Sequence, residues 1–180
     1  TEQTLEYEIS RLIASVACPE KPVVGVMSGT LNALGDTPDQ MQMMMGQNQQ
    51  RQSPWAVFNE LKRDYTVEAV PADTAEIDAH IKTLIVVHPK NLSEKTLYAI
   101  DQFVLRGGRL LAFLDPFNIQ DFRASQGNPM MGMQNPNGPG PSTLGKLLET
   151  WGVGFDTGKV IADPSAITSL NAGNGRIDEN

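Results

Sequence analysis

Apolar side chains at Leu5, Ile9, Leu12, Ile13 and Val16 fall on one side of a helical wheel, which predicts a one-faced helix over residues 4–17. Thr4 is placed to cap it and Cys18-Pro19 to end it. The period then changes. Val23–Met27 is a short continuous apolar run between Pro22 and Ser28-Gly29, the pattern of a strand covered on both faces. Ser53 as cap, with Pro54 in the first turn, opens a helix through Val57, Phe58 and Leu61. Residues 65–70 alternate and are rich in strand formers. Ile77 and Ile81 flank His80 on an apparent amphipathic helix that leads into a second buried run, Thr83–His88, stopped by Pro89. Ser93 starts a helix that runs through Leu97, Ile100, Phe103 and Leu105. Gly107-Gly108 ends it, with Gly107 in the left-handed conformation. Arg109–Leu114 is the next buried strand, closed by Asp115-Pro116. Ser142-Thr143 cap a helix containing Leu144, Leu147, Leu148 and Trp151 that stops at Gly152. Phe155 and Val160-Ile161-Ala162 suggest one more strand.

Helices that alternate with buried strands imply crossover connections and a mainly parallel sheet. The fold expected is a three-layer, doubly wound α/β sandwich, flavodoxin-like or class I glutamine-amidotransferase-like, forming a single domain over residues 1–180. Two biased segments interrupt it. In 39–52, ten of fourteen residues are Gln or Met, and every residue of 127–141 is Gly, Pro, Asn, Met or Gln. Both read as flexible loops that follow a strand and precede a helix. They therefore belong at the carboxyl ends of strands, the edge where open α/β sheets bind ligands.

Composition narrows the function classes. Fourteen Lys and Arg against 21 Asp and Glu give a net charge of -7, against nucleic acid as a partner. One cysteine, Cys18, excludes an internal disulfide framework and a zinc knuckle. No run approaches the length of a membrane helix. The chain has no initiator Met and no signal-like start, and its last residues are polar. It reads as an excised piece of a longer protein.

The candidate chemistry gathers at the strand-end edge: Ser28, Gly29 and Thr30 after the first strand, His88 and Pro89 after the third, and Asp115 after the fourth. His88 is the best titratable candidate. A hydrogen-bonded imidazole at a strand end accounts for it as well. Asp115 before Pro116 initiates a turn by default, and turn chemistry also explains Ser28-Gly29-Thr30. Cys18 reads as an inert thiol. No catalytic nucleophile, metal-loop spacing, Walker sequence or dinucleotide fingerprint occurs, so no cofactor or metal is expected. Met41, Met43, Met44, Met45, Met130, Met131 and Met133 sit in the biased loops. Thioethers there suit Cu(I) or an adaptable contact surface, and incidental Met in a polar loop is the simplest reading.

Leu5–Ile13 followed by Lys21–Val26, Trp55–Leu61 followed by Tyr65-Thr66-Val67, Thr83–Glu94 and Ala99–Pro116 together resemble, in order, the auxiliary ABC-transport family that includes the gliding-motility proteins. The resemblance covers most of residues 5–116. It implies a membrane-anchored protein whose domain lies outside the cytoplasmic membrane, on the periplasmic side, and which accompanies an ABC permease and its ATPase. It also implies an amidotransferase-type sandwich related to one used in intraflagellar transport. Amidotransferases carry a nucleophilic Cys just after a strand; here the comparable strand ends Leu114-Asp115-Pro116. The expected role is non-catalytic recognition of a protein or glycan partner, or scaffolding. A hydrolase using His88 or Asp115, and Cu(I) binding by the Met loops, stand as alternatives.

Overall fold

The computed structural model describes residues 2–17, 19–28, 31, 33–35, 53–118 and 140–160. Cys18, Gly29, Thr30, Ile161, Ala162, the segment 39–52 and residues 127–139, with their methionines, lie outside the described residues. In chain order the elements are α1 (Glu2–Ala17), β1 (Val23–Met27), α2 (Ala56–Asp64), β2 (Thr66–Ala69), β3 (Thr83–Val87), α3 (Glu94–Leu105), β4 (Arg109–Phe113) and α4 (Lys146–Thr150). The strands form one four-stranded, all-parallel sheet in the order β2-β1-β3-β4. Helices cover both faces, which makes a three-layer α/β sandwich of the flavodoxin-like kind. No helix among the described residues is long and apolar enough to cross a membrane.

Strand alternation sends each apolar run to two cores. On one face Val24, Val26, Ile85 and Val87 pack with Phe58 of α2 and with Ala33 and Leu34. On the other, Met27, Leu84 and Val86 pack with Ile100 and Phe103 of α3 and Leu147 and Leu148 of α4. Full burial of a side chain such as Leu84 or Ile100 contributes about 1.5–3 kcal/mol. α3 begins as its sequence predicts, with Ser93 Oγ accepting the Thr96 N–H at 3.2 Å. It ends at Gly107, whose φ of 92° is left-handed.

Several local expectations need correction. α1 begins at Glu2, so Thr4 lies inside it rather than before it. α2 begins at Ala56 with Trp55 in the cap position and no side-chain cap, so Ser53 does not cap it. Residues 71–82 form turns, not a helix. Ile77 and Ile81 are buried in the core in the place of a helix. This connection lies so close to β1 that a Cβ on Gly25 would stand 2.9 Å from Val70 Cγ2 and 3.1 Å from Ile81. Thr96 Oγ1 donates to the Ala72 carbonyl at 3.1 Å and the Arg106 guanidinium donates to the Ile77 carbonyl, so α3 holds the connection down. Ser142 and Thr143 do not cap a helix directly: α4 spans only Lys146–Thr150, with Gly145 before it and Gly152 (φ 74°) after it. Residues 153–160 contain no strand.

The fourth strand also departs from its reading as a buried run. Arg109, Leu111 and Phe113 are exposed while Leu110 and Ala112 are partly buried. β4 is the edge of the described sheet. α3 covers one of its faces, whereas α2 sits with β1, β2 and β3 on the other.

Candidate functional site

β1 feeds a connection to one side of the sheet and β3 a connection to the other, so the sheet has its switch point between β1 and β3. Ser28 and His88 stand at the carboxyl ends of those two strands, and Asp115 lies two residues beyond β4. The expected strand-end edge is therefore real, but the residues on it do different things.

Ser28 is a turn residue. Its Oγ accepts the Ala33 N–H at 3.2 Å and its carbonyl accepts the Leu31 N–H at 3.1 Å. Pro89 is buried, and its carbonyl accepts the Thr143 N–H at 3.0 Å. Asp115 forms an Asx turn, with Oδ1 accepting the Phe117 N–H at 2.9 Å. Its backbone N–H donates to Ser142 Oγ at 2.6 Å, and its carbonyl accepts the Ser142 N–H at 2.9 Å. Residues 142–144 thus close the edge over the ends of β3 and β4 on the α3 side. Ser142 and Leu144 are almost wholly inaccessible there.

His88 is buried at a φ of 48°, in the left-handed region where a non-glycine residue is uncommon. Its backbone N–H still donates to the Phe113 carbonyl at 3.0 Å, which extends the β3–β4 ladder by one bond before the chain turns. Strain of this kind persists where the surroundings over-determine it, and it concentrates at functional sites.

On the α2 side the edge is open among the described residues. A groove of about 650 Å³ runs between α2 and the uncovered face of β4. Trp55, Val57 and Phe58 form one wall and Leu111 and Phe113 the other, with Ile85 and Val87 as the floor. His88, Asp115 and Asn118 supply its polar end. The structure brings His88 and Asp115 together on this groove; Ser28 and Pro89 do not line it. Trp55 and Phe58 contact each other with ring centroids 6.4 Å apart. The Trp55 N–H donates to the Ala33 carbonyl at 3.0 Å, fixing the mouth of α2 to the loop after β1. The β4 wall, Leu111 and Phe113, was not singled out in the sequence, because Leu110–Leu114 is apolar at every position and its open face leaves no hydropathy signal.

No group of three or more His, Cys, Asp or Glu placed to hold a metal occurs among the described residues. The other histidine, His80, is on an exposed turn rather than a helix and does not line the groove. Its Nε2 lies 2.8 Å from Glu68 Oε2 and its Nδ1 2.6 Å from Asp78 Oδ1. Hydrogen bonds to Glu68, then to Asp78, raise the imidazole above its ordinary 6.5. Bonds from the His80 backbone and ring hold Asp78 below its ordinary 3.8. A raised imidazole stabilises the fold fully below 6.5, and that contribution is lost as pH climbs through the higher folded value. The lowered carboxyl contributes above 3.8, and its share is lost as pH falls through the lower folded value. Urea unfolding of the natural chain and of H80Q should therefore differ most between pH 3.8 and 6.5 and converge as pH rises further. A difference that grew above neutrality would contradict this pairing.

The family model described as "ABC-type uncharacterized transport system" matches residues 21–179. It begins after α1 and runs well past residue 116. No curated protein and no solved structure matches the chain.

Proposed function

Because the chain belongs to this family and is an auxiliary component of an ABC-type transport system, we propose that its domain is a non-catalytic recognition module whose groove between α2 and β4 docks an apolar segment of another subunit of that system. On this reading the domain works outside the cytoplasmic membrane and its partners are the permease and the ATPase-bearing assembly. The observation that carries the reading is the wall of the groove. Leu111 and Phe113 on the edge strand β4 and Val57 on α2 facing them are each about half exposed, and all three line the same groove. A contiguous exposed apolar patch of this kind marks an interaction surface. An apolar helix or strand matches it better than a glycan does, since the polar groups are confined to one end.

The hydrolase alternative has one observation in its favour, the convergence of His88 and Asp115 on the same groove. The two readings separate in one experiment on the full-length parent protein with its transport partners. L111E and F113E should reduce co-purification of the partners by about tenfold or more, as expected for loss of an apolar interface anchor. H88N and D115N keep the turn chemistry at both positions and should leave co-purification unchanged. Intact partner binding in L111E and F113E, or unchanged binding with lost turnover of a small substrate in H88N or D115N, would overturn the docking reading.

A further inference from the structure

α1 is attached to the domain by its polar side. Tyr7, Ser10, Arg11 and Ala14 line the cleft against Asp64 and Tyr65. The Arg11 guanidinium is held on the Asp64 carboxylate at 2.8 Å and on Glu8 at 3.1 Å. The apolar stripe points the other way. Leu5, Ile9, Leu12 and Val16 are all exposed, from 48% at Ile9 to 82% at Val16. Along the chain these four are spaced by four, three and four residues. That is the spacing of a coiled-coil seam, with Leu5 and Leu12 at d and the β-branched Ile9 and Val16 at a. Leu at d with a β-branched residue at a is the combination that favours a parallel, two-stranded coil. In this register Tyr7 and Ala14 fall at f, the position farthest from the seam, and these are residues on the domain side.

We propose that α1 is a dimerisation element that pairs in parallel with α1 of a second copy of this chain. Parallel pairing sets Glu8 at g across from Ile13 at e, so no two carboxylates meet there, and Glu8 is already held by Arg11. A helix that lies on a bilayer carries Lys and Arg along its polar face. Over residues 5–17 this one has Glu6 and Glu8 against a single basic residue, Arg11, which favours a protein seam over a lipid surface. The inference does not depend on the groove reading, and α1 lies outside the span of the family model.

A helix of 16 residues offers about two heptads, so the contact is small and the association weak. The test is sedimentation of the full 180-residue chain up to about 200 µM, near the affinity expected of such an interface. The natural chain should approach a dimer with rising concentration, and L12D should shift that midpoint upward by about tenfold or more. Independently of whether L12D disturbs the helix, in a C18S background I9C should form a disulfide-linked dimer on mild oxidation and Y7C should not. Both positions are exposed, so access of the thiol does not separate them. A chain that stays monomeric at the highest concentration, equal cross-linking at 7 and 9, or loss of dimer in favour of binding to anionic phosphatidylserine vesicles would overturn the proposal.

Discussion

Replacing Phe103 by Ala is expected to destabilise the domain by about 3–5 kcal/mol, the cost of truncating a buried aromatic ring. Phe103 is 1% exposed and belongs to the core beneath α3 and α4. The Arg106 guanidinium stands 5.6 Å over its ring. Gly108 lies against the ring: a Cβ there would fall 2.5 Å from the ring carbons, far inside contact distance. That glycine lets β4 begin directly after α3, because the backbone turns at Gly107 and then passes flat against the ring. G108A should therefore cost about 1–3 kcal/mol through overpacking. The two changes should not add. In an F103L background, where the ring edge is gone, G108A should cost clearly less than in the natural chain. Equilibrium urea unfolding of the four proteins measures the coupling. An equal cost of G108A in both backgrounds would show that the close approach is not the cause.

S142A is the second change with a large expected effect, about 1–3 kcal/mol, the penalty for leaving a buried donor without its acceptor. The hydroxyl is wholly inaccessible and accepts the Asp115 N–H at 2.6 Å. Ser142 has no accessible surface, and Leu144, Leu147 and Leu148 follow it into the core. Loss of this bond should loosen residues 142–148 from the ends of β3 and β4 before the rest of the sheet yields. Amide exchange should then rise first at Ser142 and Thr143, whose N–H groups donate to Asp115 and Pro89. S142T, which keeps a hydroxyl, should lose less than S142A if the bond rather than the volume matters. Exchange that rose uniformly over the sheet would argue against a locally held flap.

The sandwich was legible because its strands are short, continuous apolar runs bounded by turn residues. Val23–Met27 and Thr83–Val87 are buried on both faces, as such runs require. α3 was legible at both ends, because Ser93 and Gly107 act through local backbone chemistry that needs no tertiary context. Residues 71–82 misled for a physical reason. Ile77 and Ile81 are spaced like neighbours on a helix, yet both are buried from separate points of a turn-rich path, and the shape of Gly25 and Val70 beneath decides that path. The carboxyl-end edge of the strands followed from the alternation of elements, but the groove on it did not. Which face of β4 stays open depends on where α2 and α3 lie, and Leu110–Leu114 is apolar on both faces. For Asp115 the turn role expected before Pro116 is the one observed, with Oδ1 accepting the Phe117 N–H.

The most direct test of the docking account is site-specific photo-crosslinking in the assembled transport system. A photoreactive phenylalanine replaces Phe113 or Val57 on the groove, and in a control it replaces Tyr98, which is somewhat more exposed but on α3 and not lining the groove. The account predicts adducts to a subunit of the transport system from positions 113 and 57 and none from 98. Adducts from 98 alone, or none from either groove position in an assembly that is otherwise intact, would contradict it.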